Sequence, residues 1–213
     1  MTAPCACTAL VVGATGLVGA ELVRQLAAHP GWIHVSALVR RVPDRIPDTV
    51  TPILTDFERL DRISVRLAAD HVFCALGTTI RAAGSQAAFR HVDHDYVVGI
   101  ARLAREVGAR HFLLVSSLGA TPRSRVFYSR VKGEVEQAIQ ALGYPSVTIV
   151  RPSLLLGDRA EFRLGEVLMK PLGPLMPRRL RPVHAHAVAA TLIRAAGADA
   201  PGVRIVESAE ITD

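Results

Sequence analysis

The 213-residue chain predicts a doubly wound parallel α/β sheet, and three observations carry that reading. Short apolar runs alternate with amphipathic helical patterns along most of the chain. The first apolar run passes directly into a glycine-rich turn that opens a helix. Half of the residues are apolar and 21% are charged, which suits a globular chain and excludes collagenous, low-complexity and disordered classes.

The elements follow in order. TALVV, from Thr8, is the first strand, and Val18, Leu22, Val23 and Leu26 recur with helical spacing after it. His29, Pro30 and Gly31 stop that helix. A second strand is expected at Ile33 to Val39 and a third near Pro52 to Thr55. Leu60, Ile63 and Leu67 mark a helix, and His71 to Leu76 a fourth strand. One long helical region, about Ser85 to Val107, leads to a fifth strand at His111 to Ser116. A helix at about Arg125 to Leu142 ends at Gly143 and Pro145, before a sixth strand at Ser146 to Val150. A helix at about His186 to Ala196 and a strand near Val203 to Val206 close the chain. The length suits a single domain over residues 1–213, with 151–213 as a small integrated cap that serves as a substrate lid.

The net charge of +6 comes almost entirely from arginine, since Lys132 and Lys170 are the lysines. A basic balance favours phosphate-bearing partners. The arginines are spread along the chain, which points to a phosphorylated cofactor and not to nucleic acid. No apolar run reaches the length of a membrane span, so no membrane partner is expected. The first residues carry no Lys or Arg and the three cysteines form no disulfide framework, so a cytoplasmic location is expected.

Gly13-Ala14-Thr15-Gly16-Leu17-Val18-Gly19 lies between the first strand and the first helix. There the glycines permit a tight turn, close approach of backbone to a pyrophosphate, and close helix–strand packing, while the helix amino end offers N–H groups to the anion. An NAD-preferring site places an acidic residue at the end of the second strand, on the ribose 2′-hydroxyl. This chain has Arg40-Arg41 instead, so NADP(H) is expected over NAD(H).

Tyr128 and Lys132 stand at i and i+4 of a predicted helix, on one face. A carbonyl becoming an alkoxide needs a proton, and an ammonium beside a phenol makes it a better donor. Tyr128 is then the proton donor and acceptor, and Lys132 tunes it and holds the nicotinamide ribose. Ser116 and Ser117, at the end of the fifth strand, offer hydroxyls to a substrate carbonyl. Strand alternation sends one of them into the site, with Ser116 preferred.

The spacing G-x-x-G-x-x-G is similar to that of short-chain dehydrogenase/reductases. CALGTT at Cys74 to Thr79, FRHVDHDYV at Phe89 to Val97, HFLLVSSLGA at His111 to Ala120, FYSRVKGEVE at Phe127 to Glu136 and RPSLLLGDRAEFR at Arg151 to Arg163 narrow the likeness. Together they resemble the atypical, HTATIP2-like branch of that superfamily and its bacterial homologues. The resemblance implies a Rossmann-like fold and NADPH contacts from the glycine turn, Arg40, Arg41, Leu76, Gly77, Tyr128, Lys132, Leu155 and Arg163. It likewise places Asp56 at the adenine amino group.

Other groupings carry less. His91 to Asp95 gathers imidazoles and carboxylates, but helical spacing does not converge them on a metal. Cys5 and Cys7 are too isolated for a zinc site, Cys74 reads as core, and His184 and His186 begin the last helix. KPLGPLMPRRLRP, from Lys170 to Pro182, is expected to close over the nicotinamide end. The expected function is NADP(H)-dependent reduction of a small carbonyl substrate by a monomer or homodimer. An NADPH-sensing regulator without turnover is the alternative, and a nucleotide-sugar epimerase or dehydratase ranks third.

Overall fold

The computed structural model describes residues 6–156 and 177–212. Strand β1 (Cys7–Val12) is apolar apart from Thr8, whose hydroxyl is tied to Asp70, because both sheet faces are covered. Ala9 and Val11 enter one core with helix α1 (Leu17–Ala27), while Leu10 and Val12 enter the other. β2 (Trp32–Val39) pairs with β1, and β3 (Val50–Leu54) pairs with β2. Pro52 is tolerated in β3 because that strand is the sheet edge, where a missing N–H breaks no ladder.

The pattern of Leu60, Ile63 and Leu67 forms a 3₁₀ stretch, Phe57–Leu67, with non-helical backbone at Arg59, in place of the expected helix. β4 (His71–Cys74) follows and pairs with β1. The region read as one helix over Ser85 to Val107 starts earlier and is divided. Thr79 caps α2 (Ile80–Ala83), and Gly84, in the left-handed region, ends it. Ser85 caps α3 (Gln86–Arg90), which runs through a π turn (His91–Tyr96) into α4 (Val97–Glu106).

β5 (His111–Val115), α5 (Phe127–Ala141) and β6 (Ser146–Arg151) come next, then a short β7 (Leu155–Leu156), which pairs with β8 (Val183–His184). Helix α6 (Ala185–Ala198) ends at Asp199 in the left-handed region, and β9 (Gly202–Glu207) pairs with β6. The main sheet has seven parallel strands in the order β3-β2-β1-β4-β5-β6-β9. This is the Rossmann-like, doubly wound order with one added strand, and it directs ligands to the carboxyl ends of the strands.

Helices α1 and α6 pack on one face of the sheet, and α4 and α5 on the other. Most of the segment expected as a lid lies outside the described residues. Of Lys170 to Pro182, residues 177–182 are described, with a 3₁₀ turn at Arg178–Leu180. Among the described residues, no helix is long and apolar enough to cross a membrane.

Candidate active site

The glycine turn is built by close backbone contact. Gly13 has φ of 81°, and a Cβ there would lie 2.6 Å from the Ala75 backbone, which follows β4. A Cβ on Gly19 would lie 2.0 Å from the Gly13 carbonyl oxygen. Ala14 and Val18 are buried behind the turn, while Thr15 is exposed and Leu17 half-buried. Gly16 begins α1 with no side-chain cap, and the first turn holds no acidic residue. Among the described residues no side chain caps the amino end of α1, which leaves its N–H groups and partial positive charge to meet an anion. These features fit a dinucleotide: glycine is required where the turn packs on the end of β4 and on itself, and that packing sets an uncapped helix end after the first strand.

Arg40 and Arg41 are exposed immediately after β2, and neither makes an ion pair among the described residues. Asp56 follows β3, and its Oδ1 accepts from the Glu58 N–H at 3.1 Å, which starts the 3₁₀ stretch. Leu76 and Gly77 leave the end of β4 beside the glycine turn. Leu155 lies in β7 and packs against the core shared by α1 and α6. Arg163 lies outside the described residues.

Tyr128 and Lys132 lie on α5 as the spacing requires. The Tyr128 ring leans on Phe89 with centroids 5.4 Å apart, and Lys132 Nζ stands 6.0 Å from the Tyr128 ring centroid. The phenol has no hydrogen-bond partner among the described residues. Lys132 is buried, and its Nζ meets Asp93 Oδ1 at 2.7 Å. Burial, the largest single influence, opposes the ammonium charge, but the Asp93 carboxylate, with smaller help from Tyr128 and Cys74, holds the group above the ordinary lysine range.

The two serines differ in what their hydroxyls meet. Ser116 is buried, and its hydroxyl donates to Glu136 Oε1 at 2.5 Å. Glu136 also takes Arg151 Nε at 3.0 Å and Nη2 at 2.6 Å, so Ser116 belongs to a closed network between α5 and the ends of β5 and β6. Ser117 Oγ is buried and has no partner among the described residues. The next residue along the strand end faces away from that network, so Ser117, not Ser116, has the uncommitted hydroxyl.

By sequence, Asp93 is weighed only within the His91 to Asp95 grouping, as a metal ligand, and Glu136 and Arg151 enter only as ends of motifs; none is given a role in the site. Asp93 had a readable signal: Phe89, Val97, Ile100 and Ala104 form a buried helical stripe, and Asp93 interrupts it with a carboxylate. A charge in that position requires a partner.

A second cluster lies at the opposite edge of the sheet. His71 and His111 are register partners at the starts of β4 and β5, and both face Asp199. His111 Nδ1 is 3.1 Å and His71 Nε2 3.7 Å from Asp199 Oδ1. The three groups are close enough to surround a cation. Trp32, however, donates its indole N–H to His71 Nδ1 at 3.2 Å, which leaves the proton of a neutral His71 on Nε2, where a metal would need a lone pair. Arg110 Nε, 3.4 Å from Asp199 Oδ2, already supplies positive charge there. The cluster is a hydrogen-bonded clasp joining β4, β5 and the end of α6.

Comparison with known proteins adds the lineage. A family described as NAD(P)H-binding matches residues 13–199. The chain is 36% identical to FMP52, mitochondrial, of Eremothecium gossypii, over 95% of each chain. It is 37% identical to HTATIP2 of Rattus norvegicus, over 75% of this chain and 67% of that protein. The UDP-glucose 4-epimerase of Thermus thermophilus, in complex with NAD, superposes with a TM-score of 0.73, covering 94% of this chain and 77% of that one, at 16% identity. That likeness concerns the fold alone. The expectation of a cytoplasmic location is corrected, because relatives from Emericella nidulans, Eremothecium gossypii and Coccidioides immitis carry names that place them in mitochondria. On the matched residues, these identities and the strand order, the chain belongs to the NAD(P)H-binding family, as an HTATIP2-like and FMP52-like member.

Proposed function

We propose that the protein is an NADP(H)-dependent reductase of a small carbonyl compound. The observation that carries this reading is the placement of Tyr128 and Lys132 on one face of α5, with Lys132 Nζ against Gly77 of the loop that also abuts the glycine turn; Ser117, just after β5, keeps an unpartnered hydroxyl. Gly13 to Gly19 and the open end of α1 would hold the pyrophosphate, and Leu76 and Gly77 would flank it. Arg40 and Arg41 would take the 2′-phosphate, and Asp56 would face the adenine. In the same reading, Leu155 and Arg163 contact the cofactor from the segment after β6.

The nicotinamide supplies or accepts the hydride when bound. Tyr128 donates the proton to the carbonyl oxygen as that oxygen gains charge, and takes it back in the reverse direction. The Ser117 hydroxyl donates a hydrogen bond to the same oxygen and orients it. Lys132 keeps a positive charge beside the phenol and lowers the cost of a phenolate there.

Titration of the purified protein with NADPH and NADH, followed by cofactor fluorescence, tests the first step; absence of binding by either removes the reading. Loss of the NADPH preference in the Arg40→Gln, Arg41→Gln double variant supports the 2′-phosphate assignment. Tyr128→Phe is expected to keep cofactor binding and to lower turnover about 10²- to 10⁴-fold against a panel of aldehydes, ketones and quinones. Full activity in that variant would refute Tyr128 as the acid.

A further inference from the structure

We propose that Asp93 is a positioning residue of the active site, whose carboxylate anchors the Lys132 ammonium and locks it to the loop after β4 through the Thr78 N–H. The inference rests on the reading of Tyr128 and Lys132 as the reacting pair. Asp93 is 1% exposed and engages both oxygens on opposite sides. Oδ1 meets Lys132 Nζ at 2.7 Å, and Oδ2 accepts from the Thr78 N–H at 2.8 Å. A Cβ on Gly77 would lie 3.1 Å from Asp93 Oδ1 and 3.4 Å from Lys132 Nζ. The loop that carries Leu76 and Gly77 therefore rests directly on the ion pair, and a side chain at Gly77 would press on the Asp93 carboxylate.

The local backbone is consistent with a functional position. Asp93 sits inside the π turn, where the α-helical ladder is interrupted, and such turns concentrate at functional sites. The charged and titratable groups that face Lys132 are Asp93 from this turn, Tyr128 from its own helix and Cys74 from β4. Burial pushes the Cys74 thiol up to about 11, so it is uncharged near neutrality. Asp93 is thus the permanent counter-charge. Without it, a buried ammonium releases its proton at much lower pH, by up to several units for fully buried groups. An asparagine cannot substitute, because its amide has one acceptor oxygen for two donors, Lys132 Nζ and the Thr78 N–H.

The chain has two lysines, which permits a direct measurement. Lysine labelled with ¹³C at Cε, in a Lys170→Arg background, yields one side-chain signal, from Lys132. In the otherwise unaltered protein, that signal is expected to stay at its protonated position beyond the ordinary lysine midpoint of about 10.4. In Asp93→Asn the midpoint is expected to fall by at least one pH unit, and the alkaline limb of the turnover profile to move down with it. Asp93→Glu, which retains the charge, is expected to restore most of the shift. A Lys132 that loses its proton below about pH 10 with Asp93 intact would overturn the proposal, even if the asparagine variant failed to fold. So would a midpoint unchanged by Asp93→Asn. A protein with the expected lysine titration but no turnover of any carbonyl would instead remove the reductase reading and leave the anchoring of Lys132 standing.

Discussion

Lowering the pH from 7 to 5 is expected to destabilise the protein through the clasp at the amino edge of the sheet. His111 is 1% exposed, and burial drives its imidazole down to about 4. Burial also lowers His71 beside it. In the unfolded chain both histidines titrate near 6.5. Between those values the unfolded state binds protons that the folded state refuses, so stability falls as pH falls through this window and levels off below about pH 4. For His111 alone, a shift from about 6.5 to about 4 removes roughly 2 kcal/mol between pH 7 and pH 5, and His71 adds to the loss with the same sign. Carboxylates whose range is lowered, such as Asp70 and Glu21, lose their contribution at lower pH. Exposed His91, which Asp95 and Glu58 raise, titrates in this window with the opposite sign, so the difference between parent and variant carries the test, not the absolute slope. Urea unfolding at half-unit steps from pH 5 to pH 7 reads the slope. His111→Gln removes one titrating group, and its slope is expected to be shallower by up to about 1.4 kcal/mol per pH unit. Identical slopes in the two proteins would refute the assignment of buried, neutral His111.

Two further outcomes follow from the site. Gly19→Ala places a Cβ 2.0 Å from the Gly13 carbonyl oxygen, so the turn must shift; NADPH affinity is expected to fall at least about tenfold and stability by about 1–3 kcal/mol, read by fluorescence titration and thermal unfolding. The two serines should behave oppositely. Ser117→Ala removes an unpartnered hydroxyl, so stability should hold while turnover falls about 10²-fold, whereas Ser116→Ala strips a donor from buried Glu136 and should cost about 1–2 kcal/mol. Unchanged turnover in Ser117→Ala would exclude it from the site.

The sheet was legible because each strand is an apolar run closed by a turn, and the parallel order follows from the alternation of strands with helices. The breaks inside helical patterns were harder to read. Gly84 and the π turn divide a stretch whose apolar spacing is continuous, since spacing reports the buried face and not the hydrogen-bond ladder. For the same reason the 3₁₀ stretch at Phe57–Leu67 carried the signature of a helix. In the site, residues adjacent in sequence were readable, such as the glycine turn and the Tyr128 and Lys132 pair. The choice between Ser116 and Ser117 depended on Glu136, 20 residues beyond Ser116, and on Arg151, a further 15 away. Spacing within a helix or strand does not encode contacts of that range. Asp93 shows the middle case: its carboxylate was visible in a buried stripe, but the cation that balances it lies on another helix.

Helix α5 is fixed at three levels within five residues, and the kind of contact explains how one helix keeps a phenol at a set place. At Lys132 a buried ion pair ties it to Asp93 and the loop after β4. At Gly133 the backbone lies so close to the β5–α5 loop that a Cβ would stand 2.2 Å from the Thr121 carbonyl carbon. At Glu136 a second ion pair, from that buried carboxylate to half-buried Arg151, joins α5 to the end of β6, and Ser116 extends it to β5. Apolar packing of Val131, Val135 and Ile139 against the sheet supplies the bulk of the attraction, but it is non-directional and lets a helix slide by fractions of an ångström at little cost. Paired charges and bidentate hydrogen bonds fall off steeply with misplacement, and breaking one such buried pair costs about 3–5 kcal/mol. The two pairs stand at i and i+4, one turn apart on one face of α5, so sliding along the helix axis or rotation about it strains both of them. That arrangement places buried charge, which adds little net stability, on the helix that carries Tyr128.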